Sequence, residues 1–144
     1  MLERYLMEDV IKTQQTVKTW QEAVTLAGEL LVNKGLIDEA YIEAMIEAVH
    51  THGPYIAIAP GIAIAHAAPG KHVNEDALSL VTLKEPVNLG HETNDPITLF
   101  FVLAAKKNEG HLAFLQELVG LLSDEDALNT LMHGNSKSIM ALLK

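Results

Sequence analysis

Cysteine is absent from this chain of 144 residues, and with it go disulfides, thiolate nucleophiles and cysteine-ligated zinc; the absence suits a reducing compartment. Positive charge is scarce as well. Lys and Arg number 10 against 19 Asp and Glu, a formal net charge of -9, and the cations are scattered. Nucleic acids and anionic membranes are held by clustered cations, so neither is expected as a partner. Long hydrophobic runs are missing too: the stretches at 56–68 and 99–105 are too short to span a bilayer, and Pro60 interrupts the first. The opening residues MLERYLMEDV carry acids early and have no signal-peptide core. These absences point to a soluble cytoplasmic protein without direct membrane insertion.

No internal repeat, low-complexity tract or Pro/Gly/Ser-rich linker divides the sequence. With 49% hydrophobic residues, residues 1–144 are expected to form one domain around one core. Thr19 and Glu22 make a capping box, after which Ala23, Leu26, Ala27, Leu30 and Leu31 recur at helical spacing until Lys34-Gly35. Asp38 is placed to cap a second helix with the stripe Tyr41, Ile42, Met45, Ile46 and Val49, closed by His52-Gly53-Pro54. Apolar segments at 56–59, 62–65, 78–83 and 97–105 read as strands, the last apolar enough for the centre of a sheet; 13–18 adds a candidate edge strand. Helical periodicity returns with Leu112, Leu115, Leu118, Val119 and Leu122, and Asp124 and Ser136 begin two shorter helices. Helices, then strands, then helices in a chain of this size predict an α/β fold, a three-layer α/β/α sandwich with a mixed central sheet.

The segment GPYIAIAPGIAIAHAAP, residues 53–69, concentrates the chemistry. Alternating Ile and Ala around Pro60-Gly61 predict two short strands and a tight turn, ending abruptly on His66. Imidazole at a strand end can be aimed at a partner; it can equally be a core histidine with both nitrogens satisfied. Ile62, Ile64 and Ala67 are placed to flank a small apolar patch beside it, while the two isoleucines also read as buried strand residues.

The 7 histidines, His50, His52, His66, His72, His91, His111 and His133, form no metal-binding pair or cluster pattern. No Gly-x-Ser-x-Gly elbow, Walker loop or dinucleotide fingerprint occurs, and Ser79 and Ser123 stand in ordinary strand and cap contexts. Neither a metal nor a cofactor is expected. Histidine acting as a nucleophile in its own right remains, since neutral imidazole offers a lone pair near pH 7. His111 falls in the first turn of a predicted helix, where unpaired N–H groups and the helix dipole favour an anion; an ordinary exposed residue fits the same place.

With Gly61-Ile62-Ala63-Ile64-Ala65-His66-Ala67 preceded by Gly53-Pro54-Tyr55 and followed by Ser79-Leu80-Val81-Thr82-Leu83, Asn94-Asp95-Pro96-Ile97 and Gly110-His111-Leu112, the chain resembles a known family. These are the enzyme IIA components of mannitol/fructose type in the bacterial phosphoenolpyruvate-dependent sugar phosphotransferase system. Gly53-Pro54-Tyr55, the run from Thr82 to Val87 and Asn94-Asp95-Pro96 are most similar to the ascorbate-type branch. The resemblance implies a metal-independent phosphotransferase in which His66 is phosphorylated and His111 is the second active-site histidine. It implies the histidine phosphocarrier protein as donor, a cysteine of a separate enzyme IIB as acceptor, and, indirectly, a membrane enzyme IIC permease for a sugar or sugar acid. A regulatory module that signals through its phosphorylation state is the alternative role. Two departures stand out: Ala65 occupies the place of a usual proline, and the mannitol branch's active-site arginine would fall near Ala48 or Val49.

Overall fold

The apolar run ending at Ala105 is the spine of the molecule. The computed structural model describes residues 2–143, with the side chains of residues 108–111 and 114 outside that description. Strand β5 (Ile97–Ala104) is the middle strand of a five-stranded sheet, flanked by β4 (Ala77–Val87) and β3 (Ile62–Ala65), with β1 (Ile11–Gln15) and β2 (Ala57–Ala59) at the edges. Leu99, Phe100, Phe101, Val102 and Leu103 are all sealed from solvent, as a strand covered on both faces requires. Pairing is parallel for β1 with β4 and for β3 with β5, and antiparallel for β4 with β5 and for β2 with β3. The sheet is mixed, as expected.

Two sets of helices cover it. Helix α2 (Trp20–Val32) packs on β4 and β5 beside α3 (Glu39–His52). The other layer joins α1 (Leu2–Tyr5), α4 (Asn108–Leu122), α5 (Glu125–His133) and α6 (Ser136–Leu143) through contacts of α1 with α4 and α6, and of α5 with both. Between α2 and α3 the Ile42 side chain packs directly over Gly28: a Cβ added there would stand 2.6 Å from Ile42 Cγ1.

The caps follow the sequence with two adjustments. Thr19 Oγ1 accepts from Glu22 N–H at 3.2 Å, while the Glu22 carboxylate reaches past Thr19 to Lys18 N–H at 2.8 Å. Asp38 occupies the N-cap of α3 without a side-chain cap bond; its carboxylate lies 3.8 Å from His72 Nδ1. Asp124 does cap α5, accepting from Asp126 and Ala127 N–H. Gly53 ends α3 at φ 87, a left-handed conformation that glycine adopts without strain.

Two strand boundaries depart from expectation. The edge strand is Ile11–Gln15 rather than 13–18, because the parallel ladder begins at Ile11 with Leu80 and ends at Gln15 with Leu83, across a register shift between Lys12 and Gln15. At that shift Gln14 takes φ 53 and donates its N–H to the Thr82 hydroxyl. Strand β4 runs on to Val87, and Pro86 is tolerated because the ladder with β5 is irregular between Thr82 and Val87.

Candidate functional site

The β2–β3 hairpin turns at Pro60-Gly61, where Gly61 has φ 77. Gly61 N–H donates to Asn94 O, and Gly61 O accepts from Thr98 and Leu99 N–H, which fixes where β3 starts. Ile62, Ala63, Ile64 and Ala65 are then all buried, so the isoleucines are core residues and do not form a surface patch. The strand's carboxyl end delivers His66, which is half-buried. This is the end of an α/β sheet at which ligand sites usually form.

His66 Nδ1 lies 2.8 Å from Ile64 O. A carbonyl can only accept, so Nδ1 carries the proton and the neutral ring has its lone pair on Nε2. The Tyr55 hydroxyl donates to His66 O at 2.8 Å, and the Tyr55 ring meets the imidazole edge to face, centroids 5.2 Å apart at 89°. The Tyr41 hydroxyl donates to Leu103 O at 2.9 Å and accepts from Ala67 N–H at 3.1 Å. Burial pushes the ionisation of both phenols upward, Tyr41 against a smaller opposing influence of its bond to Ala67.

A cleft of about 620 Å³ opens beside the imidazole, with Ala44, Glu47, Ala48 and His52 of α3 on one wall and Tyr55 and His66 on another. Of the two neighbours Ala48 and Val49, Ala48 lines the cleft and Val49 is buried in the core. Neither Lys nor Arg is among the described residues lining the cleft, and Glu47 is the charged group there.

The other histidines are dispersed. His50 stacks at a tilt on Trp20, His72 stands by Asp38, His133 ends α5, and His91 accepts from Thr93 and Asn94 N–H in the loop before β5. No group of three or more His, Cys, Asp or Glu side chains among the described residues is arranged to hold a metal ion. His111 falls in the first turn of α4, which leaves the sheet from the end of β5 next to β3; its side chain lies outside the described residues. Tyr41, Tyr55 and His52 were not picked out by sequence as site residues. Tyr55, two residues after the helix-ending glycine and directly after Pro54, carried the one available signal, an aromatic placed on a turn beside the histidine strand.

Residues 4–144 match the family described as "Phosphoenolpyruvate-dependent sugar phosphotransferase system, EIIA 2", and the chain belongs to it. The ascorbate-specific PTS system EIIA component of Escherichia coli strain K12 is 36% identical over 122 residues, 84% of this chain and 79% of that protein. The solution structure of the mannitol-specific cryptic phosphotransferase enzyme IIA CmtB of Escherichia coli superposes with a TM-score of 0.88 at 31% identity, covering 99% of this chain and 97% of that one. Enzyme IIA of the mannitol system, solved in complex with phosphorylated enzyme IIB from Escherichia coli, gives 0.84 at 26% identity and 94% of each chain. Fold, family and relatives together support a phosphocarrier role. No helix among the described residues is long and apolar enough to cross a membrane.

Proposed function

We propose that this chain is a cytoplasmic phosphocarrier acting as one domain, in which His66 takes a phosphoryl group from the histidine phosphocarrier protein and passes it to a cysteine of enzyme IIB. The cargo moved by the associated enzyme IIC permease is a sugar or sugar acid of the ascorbate kind, as the ascorbate-specific relatives suggest. The observation that supports this best is the placement of His66: a half-buried imidazole at the end of a buried strand, beside an open cleft, with Nδ1 bonded to Ile64 O.

The Nε2 lone pair attacks phosphorus as the bond to the donor's histidine nitrogen breaks, and the electron pair of that bond returns to the donor. The Nδ1 proton stays in place, and the Ile64 carbonyl dipole offsets the positive charge that develops on the ring. The acceptor thiolate then attacks phosphorus on the side opposite Nε2, and His66 recovers its lone pair. The transition state is loose, with charge on the peripheral oxygens, so the protein's task is alignment and the supply of hydrogen-bond donors. The amino end of α4, with His111 in its first turn, is the donor source this reading assigns.

Incubation with phosphoenolpyruvate, enzyme I and the phosphocarrier protein is expected to add one acid-labile, base-stable phosphate, seen by mass analysis. His66→Ala is expected to abolish it, and His111→Ala to slow transfer while leaving the acceptor intact. Full phosphorylation of the His66→Ala chain overturns the assignment.

A further inference from the structure

The peptide group that follows His66 is gripped at both of its polar atoms by phenols. Its oxygen, His66 O, accepts from the Tyr55 hydroxyl, and its nitrogen, Ala67 N, donates to the Tyr41 hydroxyl. Tyr41 is itself tied to Leu103 O at the end of β5, and Tyr55 comes from the turn after α3. Fixing both edges of one peptide plane fixes ψ of His66, and with it the direction in which the imidazole leaves the chain. The ring is held separately, by Nδ1 on Ile64 O and by the edge-to-face contact with Tyr55. The β3 ladder stops one residue earlier, at Ala65 opposite Val102, and Ala65 has no pyrrolidine ring to restrict its φ.

We propose that Tyr55 is a positioning residue for His66, with Tyr41 as its counterpart across the peptide, the pair holding the peptide plane that follows the histidine. The proposal rests on His66 being the phosphoryl acceptor. A transfer between two proteins depends on an in-line approach, and a misaimed nucleophile loses rate before it loses binding. Tyr55 is suited to this because it is 39% exposed: it stands on the cleft wall, and the core does not depend on it.

The test compares Tyr55→Phe, which keeps the ring and removes the hydroxyl, with Tyr55→Leu, which removes both contacts, in the full chain. Transfer from the phosphorylated carrier protein is measured across carrier concentrations, together with imidazole ¹⁵N chemical shifts and thermal unfolding. Tyr55→Phe is expected to lower kcat about 3–10-fold with KM unchanged, the size of one lost hydrogen bond. Tyr55→Leu is expected to lower it roughly 10–100-fold and to move the His66 shifts from a single Nδ1–H tautomer toward an exchanging mixture. Unchanged kcat and unchanged shifts in both variants overturn the proposal. So does a Tyr55→Leu chain that melts earlier while its folded fraction transfers at the wild-type rate, since that is a structural role only. If wild-type His66 takes no phosphate, the phosphocarrier reading fails, while the imidazole spectra still decide the role of Tyr55.

Discussion

A phenol wedged between backbone groups of two strand ends is a poor acid, and Tyr41 is in that position, buried and bonded to Leu103 O and Ala67 N–H. Ionisation would strip the proton from the bond to Leu103 and leave a charge in apolar surroundings, so its folded pKa is raised, chiefly by burial. The sign follows from linkage. The folded state keeps a proton that the unfolded chain releases near the ordinary phenol value of about 10, so the contribution is fully present below that pH and is lost as pH climbs through the raised folded value. Urea unfolding at rising alkaline pH is expected to show this loss, and Tyr41→Phe to flatten it. At neutral pH the same substitution is expected to cost about 1–3 kcal/mol, because Ala67 N–H and Leu103 O lose a buried partner. Sequence placed Tyr41 correctly on an apolar stripe and missed its hydroxyl. That role depends on residues 41, 67 and 103 meeting, which no local pattern carries. The place of His66 at a strand end was legible because its signal is local: a small apolar strand ending on imidazole.

At the scale of elements, helix spacing and caps were readable wherever the information lies within a few residues. Asp124 and Thr19 accept the N–H bonds expected of them. Asp38 does not, because its carboxylate turns toward His72, a residue far along the chain. The edge strand starts two residues and ends three residues earlier than expected for a similar reason: its limits are set by pairing with Leu80 and Leu83, and its own polar sequence, IKTQQ, carries little pattern. The contact of α2 with α3 gives a direct stability test. Gly28→Ala would bring a methyl against Ile42 where the space is only 2.6 Å, and is expected to cost about 1–3 kcal/mol in urea unfolding through overpacking. In the loop before β5, the Asp95 carboxylate accepts from Leu89, Gly90 and His91 N–H at 2.8–3.1 Å. The Asn94-Asp95-Pro96 motif that helped mark the family is thus architectural and lies at the strand ends opposite His66.

At the scale of the whole molecule, the central place of β5 was legible from its composition, whereas strand order was not. Order depends on long-range parallel pairing of β1 with β4 and of β3 with β5, which leaves no mark on either partner's sequence. The order has a testable cost. A chain beginning at Thr16 would lack β1 and bare the edge of β4, whose residues Ala77 to Leu83 are all buried. Such an edge invites pairing with other chains, and sedimentation is expected to show aggregation of the shortened protein where the full chain stays dispersed. The bond between Gly61 N–H and Asn94 O, and that of Asn94 Nδ2 to Ala57 O, pin one end of β3. At the strand rise of about 3.3 Å per residue, the imidazole stands roughly 16 Å away at the other end. That stretch is bound to β5 along its whole length, Ile62 to Ala65 against Leu99 to Val102, so the asparagine loop and the proposed acceptor ring are the two ends of one rigid bar.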